Sequence, residues 1–244
     1  MAGGFPYGVP VLDTFTGTNG TDLPVYSANW GDCGPPTTPL EIQGNAVAAT
    51  ALGSANMNTW EPSALFSADC FMLHQITVKQ INGAVIEQFL RLNLTTFSGY
   101  SNKIVAVAGT DFVEFWRYDS GVAVQIGGTV QVPQEYSSGD WFGISMIGAI
   151  LRLHYKTASG EWMQIGPDVT DATYPAAGGK VAMYIENDLA CRLDNFSAGS
   201  IPPDRPTGRF NLQQMTDNKD GGKFDELDVR NWFRTSSGLM VPSV

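Results

Sequence analysis

The feature that most constrains this chain is the spacing of its apolar runs. Between residues 11 and 199, short segments rich in β-branched and aromatic residues recur about every 8–14 residues, each bounded by Gly, Pro, Asn or Asp. That is the rhythm of successive antiparallel strands and turns. Several runs alternate cleanly. Cys70, Met72, His74, Ile76 and Val78 fall on one face of a strand, with Phe71, Leu73, Gln75, Thr77 and Lys79 on the other. Ile86, Gln88, Leu90, Leu92 and Leu94 likewise oppose Glu87, Phe89, Arg91 and Asn93. Side chains two apart share a face of a strand, so each run can bury one side against a second layer. Before residue 200 no apolar stripe persists at helical spacing over three turns. The pattern predicts an all-β, antiparallel sandwich or jelly roll over residues 11–200.

Finer readings follow from the turn chemistry. Residues 11–15 read as a first strand, 51–63 as a polar loop carrying Trp60, and 100–102 as a turn. Gly127-Gly128 reads as a hairpin between 122–126 and 129–132. Residues 1–10 form an N-terminal arm. After residue 200 the character changes: Ile201-Pro202-Pro203-Asp204-Arg205-Pro206 is a stiff linker. The 201–244 tail beyond it is polar, with one short helix expected over 224–233. The tail still carries Phe224, Leu227, Trp232 and Phe233, and a solvated tail does not ordinarily hold such residues. These four are the candidate assembly contacts.

Charge and cysteine usage exclude several partners. Fourteen Lys and Arg against 24 Asp and Glu leave a formal charge of −10, which speaks against nucleic acid and an anionic membrane surface. Residues 1–6 have neither a basic start nor an apolar stretch, so no secretory signal is expected there. No run of 18 apolar residues occurs. Cys33, Cys70 and Cys191 are far apart and odd in number, which fits buried reduced thiols better than zinc ligands.

The order of the motifs resembles concanavalin A-like (LamG-like) jelly-roll domains. The resemblance is carried by Asp13-Thr14-Phe15-Thr16-Gly17 through Leu23 with Trp30 following, by Gly139-Asp140-Trp141, by Gly148 to Tyr155, by Gly178-Gly179-Lys180-Val181, and by Asp194-Asn195-Phe196. It implies two packed antiparallel sheets. If the first and last strands are neighbours, Asp13 and Phe15 should meet Asp194-Asn195-Phe196, with Phe196 plugging the core. Domains with these signatures occur in bacteriophage structural proteins and in secreted bacterial carbohydrate-binding proteins, and the fold alone does not choose between them.

The leading expectation is a non-enzymatic virion protein, assembled in the host cytoplasm, that decorates a capsid or joins a tail through contacts with other virion proteins or with itself. The alternative is a carbohydrate-binding module for a host-surface or extracellular glycan. Its candidate contacts are the loop aromatics Trp60, Tyr100, Tyr136, Trp162 and Tyr174, because a ring face stacks on a pyranose; Trp116, Trp141 and Phe142 read as core. A second alternative is a glycoside hydrolase. Glucanases of this fold are similar in needing Glu-x-Asp-x-x-Glu on one strand, and no such run occurs here; Glu114 and Asp119 lack the spacing. His74 and His154 sit on predicted strands and read as structural. No cofactor is implied. The resemblance does allow calcium at loop carboxylates, with Asp168, Asp171 and Asp188 as candidates against a plain turn-forming role.

Overall fold

The computed structural model describes residues 5–7, 10–34, 36–174 and 179–201, together with the strand residues 232–234 and 240–242. Two seven-stranded antiparallel sheets face each other. The first runs in the order Trp30–Asp32 (β1), Asn56–Trp60 (β4), Lys180–Glu186 (β13), Val85–Asn93 (β6), Ser98–Val105 (β7), Phe112–Asp119 (β8) and Val122–Gln131 (β9). The second runs Met163–Thr170 (β12), Ile150–Lys156 (β11), Trp141–Ile147 (β10), Cys70–Val78 (β5), Arg192–Ser200 (β14), Val47–Ala49 (β3) and Leu40–Ile42 (β2). The fold is the jelly-roll sandwich that the alternation predicts. The chain divides into two compact units, Met1–Arg205 and Pro206–Val244.

The core lies between the sheets, built from the inward half of each strand. Met72, Ile76, Ile86, Leu90, Ile104, Phe115, Ile144, Leu153, Met183 and Leu193 are all buried there. Trp30, Trp60 and Phe196 pack at one end, with centroids 4.9 Å apart for Trp30 against each of the other two. A polar tie crosses the same core. Gln88 Nε2 donates to His74 Nδ1 at 3.0 Å and to the Phe142 carbonyl at 3.1 Å, while Asn102 Nδ2 donates to Gln88 Oε1 at 2.7 Å. Buried polar groups stay only where they are so paired.

Asp13 locks the start of the sandwich to its end. It forms a bridge with Phe196. Its carboxylate accepts from the Phe15 amide at 2.8 Å, the Tyr26 hydroxyl at 2.9 Å and Trp30 Nε1 at 2.8 Å. Asp194 Oδ1 accepts the Asn195 amide at 2.7 Å, so the closing motif does turn on an Asx contact. All three cysteines are free; Cys70 and Cys191 are buried and Cys33 is half-buried.

Several local expectations are corrected. Residues 11–15 hold only that one bridge: Asp13 exchanges both backbone hydrogen bonds with Phe196, and Phe15 then turns left-handed at φ 49° and leaves the extended path. The polar stretch before Trp60 is not a loop but strand β4. Its Asn56 and Asn58 are fully buried and act as backbone substitutes: Asn56 Oδ1 accepts the Thr50 and Ala51 amides, and Asn58 Oδ1 accepts the Leu40 amide. Residues 100–102 lie inside β7. Gly127-Gly128 sits within one continuous β9; Gly127 is left-handed at φ 72° and makes a bulge, and a Cβ there would come 2.8 Å from Val169 on β12. β12 itself, containing Gly166 and Pro167, gave no strand signal. It is an edge strand, where proline is tolerated. In the second unit, Trp232–Arg234 (β15) pairs with Met240–Pro242 (β16). The end of the expected helix is therefore strand; its residues 224–231 lie outside the described residues.

Candidate functional site

The outer face of the first sheet departs from a plain solvated surface. On an antiparallel sheet with one wet side, outward positions are normally polar. Here Met57, Phe89, Leu92 and Ala182 form a second buried cluster, roofed by Phe97, Tyr118, Tyr184 and Cys33. The register explains how they meet. Tyr184 on β13 stands opposite Glu87 on β6, which stands opposite Lys103 on β7, which stands opposite Glu114 on β8. The next outward row is Thr59, Ala182, Phe89, Ser101 and Trp116.

Glu87 is the centre of this face. It is 4% exposed. Ser101 Oγ donates to Oε2 at 2.7 Å, and the Tyr118 hydroxyl reaches across from β8 to Oε2 at 3.0 Å and Oε1 at 3.2 Å. Burial pushes its carboxyl up to about 7, with neighbouring Glu186 adding to the rise; the Ser101 and Tyr118 hydrogen bonds and Lys103 pull the other way. Around it, the Tyr184 hydroxyl donates to Glu186 Oε2 at 2.7 Å. Trp116 Nε1 donates to Glu114 Oε2 at 3.1 Å, and Lys103 Nζ lies 5.4 Å from the Trp116 ring centroid. Toward β1, Lys180 pairs with Glu61 at 2.6 Å and Thr59 Oγ1 donates to Glu61 Oε1 at 2.7 Å. Burial, followed by the Asp32 charge, pushes the nearby Cys33 thiol up to about 12, so it is not a reactive thiolate.

Rings of Trp116, Tyr118 and Tyr184, half-buried, thus alternate with partly exposed carboxylates of Glu114 and Glu186 and the ammonium of Lys103. Rings offer flat apolar area; carboxylates accept and the ammonium donates. Glu87, with both oxygens held inside the protein, has no open path to an outside atom. Its chemistry here is to fix Tyr118 and Ser101 in place.

That role predicts a pH signature. A carboxyl raised from 4.5 to about 7 favours the folded state at low pH, and this contribution is lost as pH rises from about 4.5 through 7. The change amounts to about 3 kcal/mol at 1.36 kcal/mol per pKa unit. Between pH 5 and pH 8, Glu87→Gln should therefore gain up to about 3 kcal/mol relative to the wild type in urea unfolding. A gap between the two proteins that does not move with pH would remove Glu87 from this account.

The aromatics singled out from sequence do not converge. Trp60, Tyr100 and Tyr136 are 4%, 0% and 1% exposed and cannot stack on a ligand. Trp60 closes the core beside Trp30. Tyr100 points inward and donates to Asp171 Oδ1 at 3.0 Å. Tyr136 packs edge-on to Phe142 at 5.1 Å. Tyr174 is half-buried at the end of the sandwich, its hydroxyl on Asp119 at 2.5 Å. Trp162 is half-buried on the outer face of the other sheet, beside Trp141 at 6.2 Å, so Trp141 is a surface residue and not core. Trp116 also faces outward. Phe224 and Leu227 lie outside the described residues, and Trp232 and Phe233 are placed there as strand backbone only.

The loop acids are engaged elsewhere. Asp168 pairs with Arg152 at 2.8 Å, Asp171 with Arg117 at 2.5 Å, and Asp188 accepts the Ile81 and Ala190 amides at 2.7 Å. Among the described residues no group of three or more His, Cys, Asp or Glu is placed to hold a metal ion. No helix among them is long and apolar enough to cross a membrane.

No family model matches the sequence, and no curated protein matches it. Solved structures do share its architecture. The Ca2+-bound exoplasmic/lumenal domain of VIP36 superposes with a TM-score of 0.53 at 12% identity, over 80% of this chain and 91% of that one. The legume lectin-like domain from Entamoeba histolytica gives 0.50 at 11% identity, over 75% and 97%. The fold is the concanavalin A-like jelly roll. A xylan beta-1,4-xylosidase from Bacillus halodurans C-125 also matches, with a TM-score of 0.50 at 13% identity over 78% of this chain, which spans only 39% of that enzyme. At such identities the shared property is architecture.

Proposed function

We propose that this protein is a carbohydrate-binding sandwich whose ligand, an uncharged oligosaccharide, lies across the outer face of the first sheet. The observation that carries this reading is the outward set on four neighbouring strands: Tyr184 and Glu186 on β13, Glu87 and Phe89 on β6, Lys103 on β7, and Glu114, Trp116 and Tyr118 on β8. Ring faces suit the C–H side of a pyranose, and Glu114 and Glu186 suit its hydroxyls. Those carboxylates, on a chain of charge −10, disfavour an anionic sugar on this face. Lectin-like architecture supports the reading; the VIP36 domain has also been solved in a Man3GlcNAc-bound form.

Calorimetry of the intact protein against a panel of neutral oligosaccharides tests it. At least one should bind and be recovered uncleaved, and Trp116→Ala or Tyr184→Ala should weaken it by about tenfold or more, the scale of a lost stacking contact. No binding across the panel, or binding indifferent to both substitutions, would sink the proposal.

A further inference from the structure

The second sheet carries a different kind of site on its own outer face. Trp141, Trp162, Leu73, Pro6 and Ser197 surround a depression of about 140 Å³ with Lys156 at its side. The Lys156 ammonium lies 5.7 Å from the Trp141 ring centroid. Lys79, Arg91, Arg117, Arg152 and Lys180 each face a carboxylate within 4 Å. Among the described residues Lys156 has none, a state it shares with Lys103 and Arg192. What sets Lys156 apart is its place in the wall of a depression that also holds two tryptophans.

The wall of this depression is held firm. Phe5 of the N-terminal arm lies parallel on His154 at 3.8 Å and meets Trp162 edge-on at 4.7 Å. Gly143 makes room for it, since a Cβ there would come within 2.4 Å of the Phe5 ring. Ser145 Oγ and His154 Nε2, 2.8 Å apart, fix the imidazole below. Trp162 therefore presents a set face, and ordering it on binding carries little entropic loss.

We infer that this depression binds one sugar ring bearing a carboxylate, a uronate, with the ring against Trp141 and Trp162 and the carboxylate on Lys156. The room suits one ring, the aromatic wall suits its C–H face, and the lone ammonium supplies a charge-assisted hydrogen bond. The site is on the opposite sheet from the face proposed for neutral sugars and takes the opposite charge class, so either can fail alone.

The test is calorimetry on the full chain carrying Trp116→Ala, which impairs the face proposed for neutral sugars, with digalacturonate and with its neutral counterpart, galactobiose, each at low and high salt. Digalacturonate should bind at least about tenfold more tightly than galactobiose, the scale of a hydrogen bond to a charged group, and added salt should narrow the gap. Lys156→Gln should bring digalacturonate down to the neutral level, and Lys156→Arg should restore the preference. Trp116→Ala on the first sheet should leave digalacturonate unchanged. Equal affinity for both sugars, no binding of either, or digalacturonate binding untouched by Lys156→Gln would overturn the inference.

Discussion

Between pH 7 and pH 4 the sandwich is expected to lose about 4 kcal/mol of stability, driven by two histidines that fold uncharged. His74 is fully buried, and burial pushes its imidazole down to about 3. His154, under the Phe5 ring, is pushed down to about 3 by burial and by the charge of Arg152. A base whose folded value is depressed penalises the folded state once the unfolded chain protonates. The loss therefore begins below the ordinary value of 6.5 and grows until the folded value is reached. By pH 4 the two histidines together account for about 7 kcal/mol, and Glu87 returns about 3 kcal/mol over the same range. The remainder is a large part of the 5–15 kcal/mol typical of a folded domain.

Urea unfolding at pH 7 and pH 4 measures this directly. His154→Gln can keep the hydrogen bond to Ser145 while removing the titration, and should recover about 3 kcal/mol of the acid loss. Equal midpoints at the two pH values, or a His154→Gln protein with the wild-type pH profile, would show that the imidazoles do not govern acid stability.

The second large effect belongs to Arg91. Its backbone is left-handed at φ 52°, and there the alternation of β6 slips: Leu90 faces the main core and Leu92 the outer cluster. Gly99 and Gly179 flank it because a Cβ on either would come within 2.9 Å and 2.4 Å of the Arg91 backbone. The guanidinium is buried and gathers three loops, donating to the carbonyls of Ala68 at 2.6 Å, Tyr174 at 3.0 Å and Gly148 at 2.9 Å. Asp69 lies 3.6 Å away. Arg91→Ala strands these acceptors and should lower stability by about 4 kcal/mol, within the range for breaking a buried charged network. Arg91→Lys should recover little, since one ammonium cannot span three carbonyls set around a planar fork. A thermal midpoint for Arg91→Ala within a degree or two of wild type would contradict this role.

The layer architecture was legible because alternation survives in most strands: Cys70 to Ile76 was placed on its faces correctly from spacing alone. Recognition failed where a side chain did a backbone's work. Asn56 and Asn58 look like loop residues by composition, and their burial shows only once their amides are seen tying neighbouring loops. The slip at Arg91 was equally hidden, since a bulge leaves little trace in the residue pattern. The candidate site was missed for another reason. Aromatics within strands were assigned to the core and aromatics in loops to the surface, whereas the register puts Trp116, Tyr118 and Tyr184 outward and Tyr100 and Tyr136 inward. Pairing each aromatic with the carboxylate two positions away would have exposed it, because Glu114 and Trp116, Tyr184 and Glu186, and Glu87 and Phe89 share a face.

β14 has a consequence for biosynthesis. It is the last strand of the sandwich in sequence, yet it sits between β5 and β3 in the middle of the second sheet. A nascent chain that has emerged only as far as Glu186 has all of the first sheet and a gap in the second. Asp13 must likewise wait for Phe196 before it can close its bridge. Such long-range closure slows folding, so translation must deliver nearly the whole sandwich before it can become stable, and the unpaired edges of β5 and β3 are what a ribosome-associated chaperone would meet in the interval.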